Sequence, residues 1–89
     1  MMQHWKERER PQRLERRYEF ESYDDLRDFL DKSADLSEQK GLYPDMGFGR
    51  NYVNITIHAD EDSGELQAHQ RGFAEELEKL SLDMTGARN

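Results

Sequence analysis

The stretch Asn51-Tyr52-Val53-Asn54-Ile55-Thr56-Ile57-His58 decides the fold of this 89-residue chain, because it is the clearest β-strand signature in the sequence. Its residues alternate strictly, with the β-branched Val53, Ile55 and Ile57 on one face and more polar side chains on the other. Burying three such side chains stabilises a fold by roughly 1.5–3 kcal/mol each, and that sum is comparable to the net stability of a small domain. The stretch therefore predicts a central strand that the rest of the chain must cover.

Two further stretches predict strands beside this one. Residues 13–20 place Leu14, Tyr18 and Phe20 on one face together with Arg16, and the other face carries only charges, which suits the edge of a sheet. Residues 42–50 contain Pro44 and predict a loop and hairpin that lead into the central strand.

Two amphipathic helices are predicted from apolar residues at spacings of three and four. The first begins after Ser22, a candidate N-cap, and ends at Gly41, a typical helix stop. The second extends from Leu66 to Leu80 and contains Gly72. A glycine there costs about 1 kcal/mol relative to alanine, so we interpret it as a mark of close packing against another element.

The order β-α-β-β-α predicts an α+β fold of two layers, in which two helices cover one face of an antiparallel sheet. We divide the chain into a basic N-terminal arm at 1–12, a domain at 13–81 and a C-terminal tail at 82–89. Trp5 in the arm needs an apolar neighbour, which is either the domain's own surface or a partner.

Composition limits the classes of function. The net charge is −7, although the first seventeen residues carry six Lys and Arg against three Glu. The acidic remainder argues against nonspecific nucleic-acid binding, whereas the basic arm is either a solvated tail or a contact for an acidic protein surface. The absence of cysteine excludes disulfides and thiolate chemistry. A polar N-terminus and the lack of a long apolar run predict a cytoplasmic protein without a membrane span.

No pattern predicts a metal or cofactor. The three histidines, His4, His58 and His69, have no metal-ligand spacing. Gly47-Phe48-Gly49 is not followed by a helix N-terminus, so a hairpin is favoured over a phosphate site. The acidic residues 60–62 lack the calcium-loop pattern. We therefore expect no cofactor.

Over about residues 13–80, the chain resembles the pterin-4a-carbinolamine dehydratase family. The resemblance is carried by Leu14-Glu15-Arg16-Arg17-Tyr18-Glu19-Phe20, the capped helix from Ser22, Pro44-Asp45, Tyr52-Val53-Asn54-Ile55-Thr56-Ile57, and Gly64 before a helix. It implies a sheet covered by two helices, dimers or tetramers, and dehydration of a hydroxylated tetrahydropterin by histidine acid/base groups.

The resemblance also implies a departure in the active site. The family's His-His-Pro falls on Leu42-Tyr43-Pro44, its third active-site histidine on Ala59-Asp60, and its late acidic residue near His69. Dehydration needs a group that exchanges a proton near neutral pH. A leucine cannot do so, and tyrosine and aspartate ordinarily titrate near 10 and near 4. We therefore expect no catalytic residue, and vestigial pocket positions at Leu42, Tyr43, Pro44, Asp60 and His69.

A branch of this family that lacks those histidines assists RuBisCO assembly in the alpha-carboxysome. The chain resembles it in Trp5…Arg8-Glu9-Arg10-Pro11 and in Tyr43-Pro44-Asp45…Phe48-Gly49. This resemblance implies a non-catalytic chaperone of the bacterial cytoplasm, a homodimer or tetramer, that associates with the carboxysome and binds the RuBisCO large subunit. Candidate partner contacts are Trp5, Arg8, Arg10, Tyr43 and Phe48.

Several alternatives stay open from the sequence. Tyr43 either fills the former pocket or contacts a partner, and Phe48 is either an exposed anchor or part of the core. The alternative function is an active dehydratase with a rebuilt pocket that uses His58, Asp60 or Tyr43.

Overall fold

The computed structural model describes residues 5–85, with the side chains of residues 5–82. His4 and the predicted tail beyond residue 85 lie outside the described residues. The elements in chain order are β1 (Lys6–Glu9), β2 (Gln12–Glu19), α1 (Tyr23–Lys40), β3 (Asp45–Phe48), β4 (Tyr52–His58) and α2 (Ala68–Thr85). The strands form one antiparallel sheet in the order β1-β2-β4-β3. Of the helices described, none combines the length and apolarity that crossing a membrane requires.

The predicted central strand is confirmed as β4, which lies between β2 and β3. Val53, Ile55 and Ile57 are at most 1% exposed and point toward the helices. On the neighbouring strand β2, Tyr18 lies opposite Val53 and Leu14 lies opposite Ile57, and both extend the same apolar face. Because the apolar face of β4 is covered by both helices, the predicted two-layer α+β arrangement is also confirmed.

The N-terminal segment differs from the predicted aperiodic arm, because residues 6–9 form strand β1 along β2. Trp5 is 6% exposed and meets the Tyr18 ring edge-on, with centroids 6.4 Å apart. The sequence Lys-Glu-Arg-Glu has no apolar alternation, so its strand character comes from pairing with β2 and not from its own pattern. β2 is therefore an interior strand, and the predicted edge position was wrong.

Helix α1 has the predicted ends. The Ser22 hydroxyl accepts a hydrogen bond from the Asp25 N–H at 3.1 Å, which caps the N-terminus. Gly41 adopts the left-handed conformation at φ 67° and its N–H donates to the Ser37 carbonyl at 2.8 Å. Leu26 and Phe29 are fully buried against the sheet.

Helix α2 differs from its prediction in its bounds and in the role of Gly72, and it begins at Ala68 where we expected Leu66. It continues to Thr85, so residues 82–85 are helical where we expected a tail. A Cβ at Gly72 would meet no atom within 4 Å, so the glycine does not mark a close approach between elements. Phe73, Ala74 and Leu77 bury the predicted apolar face of the helix.

Candidate functional site

A cleft of about 540 Å³ lies where the end of α1, the end of β4 and the start of α2 meet. It is lined by residues 41–44, 57–62 and 69–70. These segments are distant in sequence, and the antiparallel pairing of β3 with β4 brings the first two together. The structure thus collects all five predicted pocket positions around one cavity, namely Leu42, Tyr43, Pro44, Asp60 and His69.

One wall of the cleft is the turn after α1. The left-handed Gly41 reverses the chain, and the N–H of Leu42 also donates to the Ser37 carbonyl at 3.2 Å. Leu42 then packs against the core while Tyr43 turns outward and is 70% exposed. The interpretation of Tyr43 as a filler of the pocket was therefore wrong, because most of the ring faces solvent.

The opposite wall is the turn that contains Asp60. The N–H of Asp60 donates to the Glu65 carbonyl at 3.2 Å, and the N–H of Gly64 donates to the Asp60 carbonyl at 2.7 Å. Gly64 has a φ of 72°, a conformation that favours glycine. The N–H of Leu66 donates to Gln12 Oε1 at 2.8 Å, so the turn is tied to the sheet. These bonds fix the half-buried Asp60 at the mouth of the cleft.

His58 and Asp45 form an imidazole–carboxylate pair at the rim. His58 Nε2 lies 2.7 Å from Asp45 Oδ2, and the two side chains are 55% and 77% exposed. Asp45 lies opposite Thr56, two residues before His58, so its carboxylate reaches the imidazole diagonally across the two strands. An imidazole held in this way can donate or accept a proton.

Asp45 and Gln70 are site residues that the sequence analysis missed. Gln70 Nε2 donates to the His58 carbonyl at 2.6 Å, and Gln70 Oε1 accepts from the Gln67 N–H at 2.8 Å. Gln70 therefore joins the end of β4 to the first turn of α2. Asp45 entered the sequence analysis only within the stretches that carry the family resemblance, and its pairing with His58 follows from the strand register.

The predicted partner contacts do not form one patch. Trp5 is buried in the domain's own core, so it is not an available contact. Arg8 lies on β1 and Phe48, 56% exposed, lies on β3 at the opposite edge of the sheet. Strands are spaced about 4.8 Å apart, which separates these two edges by about 14 Å. Arg10 is exposed in the turn that joins β1 to β2.

Among residues 5–82, no group of three or more His, Asp or Glu side chains is placed to hold a metal ion. The side chains around the cleft that can exchange protons are Tyr43, His58, His69 and the carboxylates of residues 60–62.

Comparison with known proteins gives consistent results. The family described as Pterin 4 alpha carbinolamine dehydratase matches residues 1–80. A protein of Methylococcus capsulatus, provisionally named a pterin-4-alpha-carbinolamine dehydratase, is 26% identical over 81 residues, which cover 89% of this chain and 68% of that protein.

Two solved structures are similar to the fold. A pterin dehydratase-like protein identified as a RuBisCO assembly factor in the alpha-carboxysome superposes with a TM-score of 0.78 at 38% identity, over 90% of this chain and 92% of the other. A transcriptional coactivator/pterin dehydratase from Brucella melitensis superposes with a TM-score of 0.80 over 89% of this chain and 83% of the other. Its 15% identity supports the fold alone.

Proposed function

The chain belongs to the pterin 4 alpha carbinolamine dehydratase family, and we propose that within it the protein is a non-catalytic RuBisCO assembly factor of the alpha-carboxysome. The observation that carries this proposal is the 38% identity to the solved RuBisCO assembly factor over nearly the whole of both chains. The Brucella structure superposes equally well at 15% identity, so the fold alone does not distinguish the two functions. The higher sequence identity to the assembly factor is what favours that function for this chain.

The residues of the cleft support a non-catalytic role. The resemblance to the family assigns its histidine positions to Leu42, Tyr43 and Asp60, and all three line the cavity. Leucine has no proton to exchange, and the Tyr43 ring is turned 70% into solvent. A general acid or base must reach the reacting oxygen at about 3 Å with a pKa close to the working pH. Leucine is no such group, and tyrosine and aspartate side chains ordinarily titrate far from neutral pH.

The same proposal extends to partners and location. We propose that the protein forms a homodimer, or a tetramer, that binds the RuBisCO large subunit in the bacterial cytoplasm and associates with the carboxysome. The exposed rings of Tyr43 and Phe48 support a binding role, because exposed aromatic side chains often anchor protein interfaces.

The alternative is an active dehydratase with a rebuilt pocket, and one observation favours it. His58 lines the cleft and is bound to Asp45 at 2.7 Å, so a carboxylate-held imidazole is present within the cavity. In that case His58 would exchange the proton and Asp45 would orient the ring.

Two measurements separate the functions. Co-expression with the RuBisCO subunits from the same organism should increase the amount of assembled holoenzyme on native gels, and the Tyr43→Ala/Phe48→Ala variant should reduce that gain. Leu82→Ala, which truncates an exposed apolar residue on α2, is the matched control. No gain with the unmodified protein would argue against the assembly role.

The second measurement is turnover of 4a-hydroxytetrahydropterin by the purified protein. We expect no rate above the uncatalysed reaction. Catalysis that His58→Ala abolishes and Asp45→Asn reduces would establish the alternative, and would refute the non-catalytic proposal.

A further inference from the structure

The outer face of the sheet, which we define as the side opposite Val53, Ile55 and Ile57, is left uncovered by the helices. The register places Lys6, Glu15, Thr56 and Asp45 side by side across all four strands of this face. Both helices pack on the opposite side, where the buried apolar residues lie. Within the described residues, a shallow cleft of about 390 Å³ crosses β1, β2 and β4 on the outer face.

The charge of this face is opposite to that of the chain. Lys6, Arg8, Arg13 and Arg17 stand on β1 and β2, with only two carboxylates, Glu15 and Glu19, on the same strands and face. The chain as a whole carries −7. Asp45, at the far edge on β3, is bound to His58. The positive charge is therefore concentrated on the β1 and β2 half of the outer face.

The arginines of the outer face are held in place. Arg8 Nε and Arg13 Nε share Glu15 at 3.2 Å and 2.7 Å, and Arg17 Nε binds Glu19 at 3.1 Å. Arg17 also stacks on the Tyr52 ring, with its guanidinium carbon 4.1 Å from the ring centroid. The two guanidiniums hold the pKa of the Glu15 carboxyl below its ordinary value.

This arrangement suits an external carboxylate. A guanidinium has five N–H donors, and an internal bond through Nε uses one of them. The Arg8 and Arg17 side chains are about half exposed, at 50% and 51%, so a ligand can reach them from solvent. Because these arginine side chains are already ordered, they lose less conformational entropy when a ligand binds. Asn54 and Thr56 supply hydrogen-bonding groups to the floor of the cleft.

We propose that the outer face binds an extended acidic segment of a partner protein. Carboxylates on alternate residues of an extended segment recur at about 7 Å. This spacing allows each carboxylate to contact a separate cation of the outer face. The uncharged residues between them can then lie near Glu15 and Glu19 without charge repulsion. A nucleic acid suits the face less well, because its closely spaced phosphates would meet these carboxylates and the net negative charge of the chain. The inference concerns binding alone and holds for any protein that supplies the acidic segment.

The test uses the full chain and a fluorescein-labelled peptide of alternating glutamate and glycine, followed by anisotropy at low ionic strength. The Lys6→Gln/Arg8→Gln/Arg17→Gln variant should bind at least about tenfold more weakly. The matched control is Arg27→Gln/Lys32→Gln/Lys79→Gln. It removes three cations from the helices and therefore has the same net charge as the outer-face variant. It should bind within about twofold of the unmodified protein.

A second measurement does not depend on the folding of any variant. Titration of the peptide into the ¹⁵N-labelled unmodified protein should shift the amide resonances of β1, β2 and β4 and leave those of the helices unchanged. Four outcomes would each overturn the proposal. They are an equal loss of peptide affinity in both variants, resonance shifts confined to the helices, no binding by the unmodified protein, and tighter binding of an oligouridine RNA than of the peptide. Failure of RuBisCO assembly with intact peptide binding would refute the proposed function and leave this inference standing.

Discussion

Glu78 of α2 shows how a single carboxylate joins the two layers. It accepts hydrogen bonds from Tyr18 Oη at 2.6 Å and from Arg16 Nε at 3.1 Å, and a further one from Arg16 Nη2 at 3.3 Å. Arg16 lies on the helix side of β2, with its guanidinium carbon 3.9 Å from the Tyr18 ring centroid. Burial, and then the bond to Glu78, raise the pKa of Tyr18, so its hydroxyl remains a donor at neutral pH.

The network predicts unequal costs for removing its members. Tyr18→Phe deletes one donor and should lower the free energy of unfolding by about 1–2 kcal/mol. Glu78→Ala leaves Arg16, whose side chain is 11% exposed, without its carboxylate and should cost about 3 kcal/mol. Urea unfolding monitored by circular dichroism measures both, with the exposed Glu75→Gln as control. Equal costs for the two variants would contradict this account.

Glu15 provides a prediction about pH. Arg13, and then Arg8, bind its carboxylate and hold its pKa below the ordinary value of 4.5. A lowered carboxyl pKa in the folded state stabilises the protein above the unfolded-state value, and that stabilisation is lost as the pH falls through the folded-state value. Glu15→Gln should therefore destabilise the protein at pH 7, and the difference should shrink steadily below about pH 4.5.

Unfolding titrations from neutral to acidic pH measure the effect. Because both Glu15 and its arginines are partly exposed, salt should reduce the difference at pH 7 as well. A difference between the two proteins that is independent of pH would disprove the role assigned to the ion pair.

At the scale of elements, two glycines in the helical layer predict opposite effects. Gly72→Ala fills open space in the middle of α2 and should stabilise the protein by about 0.5–1 kcal/mol, since alanine is the better helix former. Gly41→Ala also meets no atom, but it must adopt a φ of 67° at the end of α1 and should destabilise by about 1 kcal/mol.

Thermal unfolding of the two variants measures this difference directly. Available space is the same at both positions, so the backbone conformation alone separates them. A loss of stability in Gly72→Ala would mean that α2 packs more closely there than the structure shows.

Strand β1 is anchored to the tertiary fold by the burial of the adjacent Trp5 and by an ion pair between Glu7 and Arg71 of α2 at 2.8 Å. Its four residues are all exposed, whereas Trp5 beside it is buried against Tyr18. Trp5→Ala should cost about 3–5 kcal/mol, as expected for truncating a buried aromatic residue. The exposed Lys6→Ala is the control. Amide hydrogen exchange should show β1 losing protection first in the tryptophan variant, and an unchanged stability would restore the interpretation of this segment as an arm.

At the scale of the whole molecule, acidic and basic side chains lie on different surfaces. Helix α1 presents Asp24, Asp28, Asp31 and Asp35 to solvent, while the outer face carries the cations of β1 and β2. The cleft lies at one end, between the two layers. Helix α1 and the outer face thus present surfaces of opposite charge.

A thin core predicts association of the whole chain. Only 34% of the residues are hydrophobic, and small domains with little core often complete their burial by oligomerising. Sedimentation equilibrium should give a mass of twice 10.6 kDa or a higher multiple. A single-chain mass at micromolar concentrations would exclude the proposed dimer.

The sequence by itself determined the elements whose signals are local. The alternation of Val53, Ile55 and Ile57 and the cap at Ser22 depend only on near neighbours in the chain, so they predicted β4 to within one residue and the start of α1 correctly. The family resemblance also assigned the five cleft positions, although it could not describe how they face the cavity.

Only the tertiary structure decided what depends on distant partners. Strand β1 has no apolar period and forms because β2 offers hydrogen bonds and Tyr18 offers Trp5 a contact. Asp45 meets His58 because the register of β3 against β4 sets them diagonally. The outer face becomes basic because two charged strands pair side by side. Each of these depends on which strands pair and in which register, and such long-range pairing is not encoded in the spacing of residues along one segment.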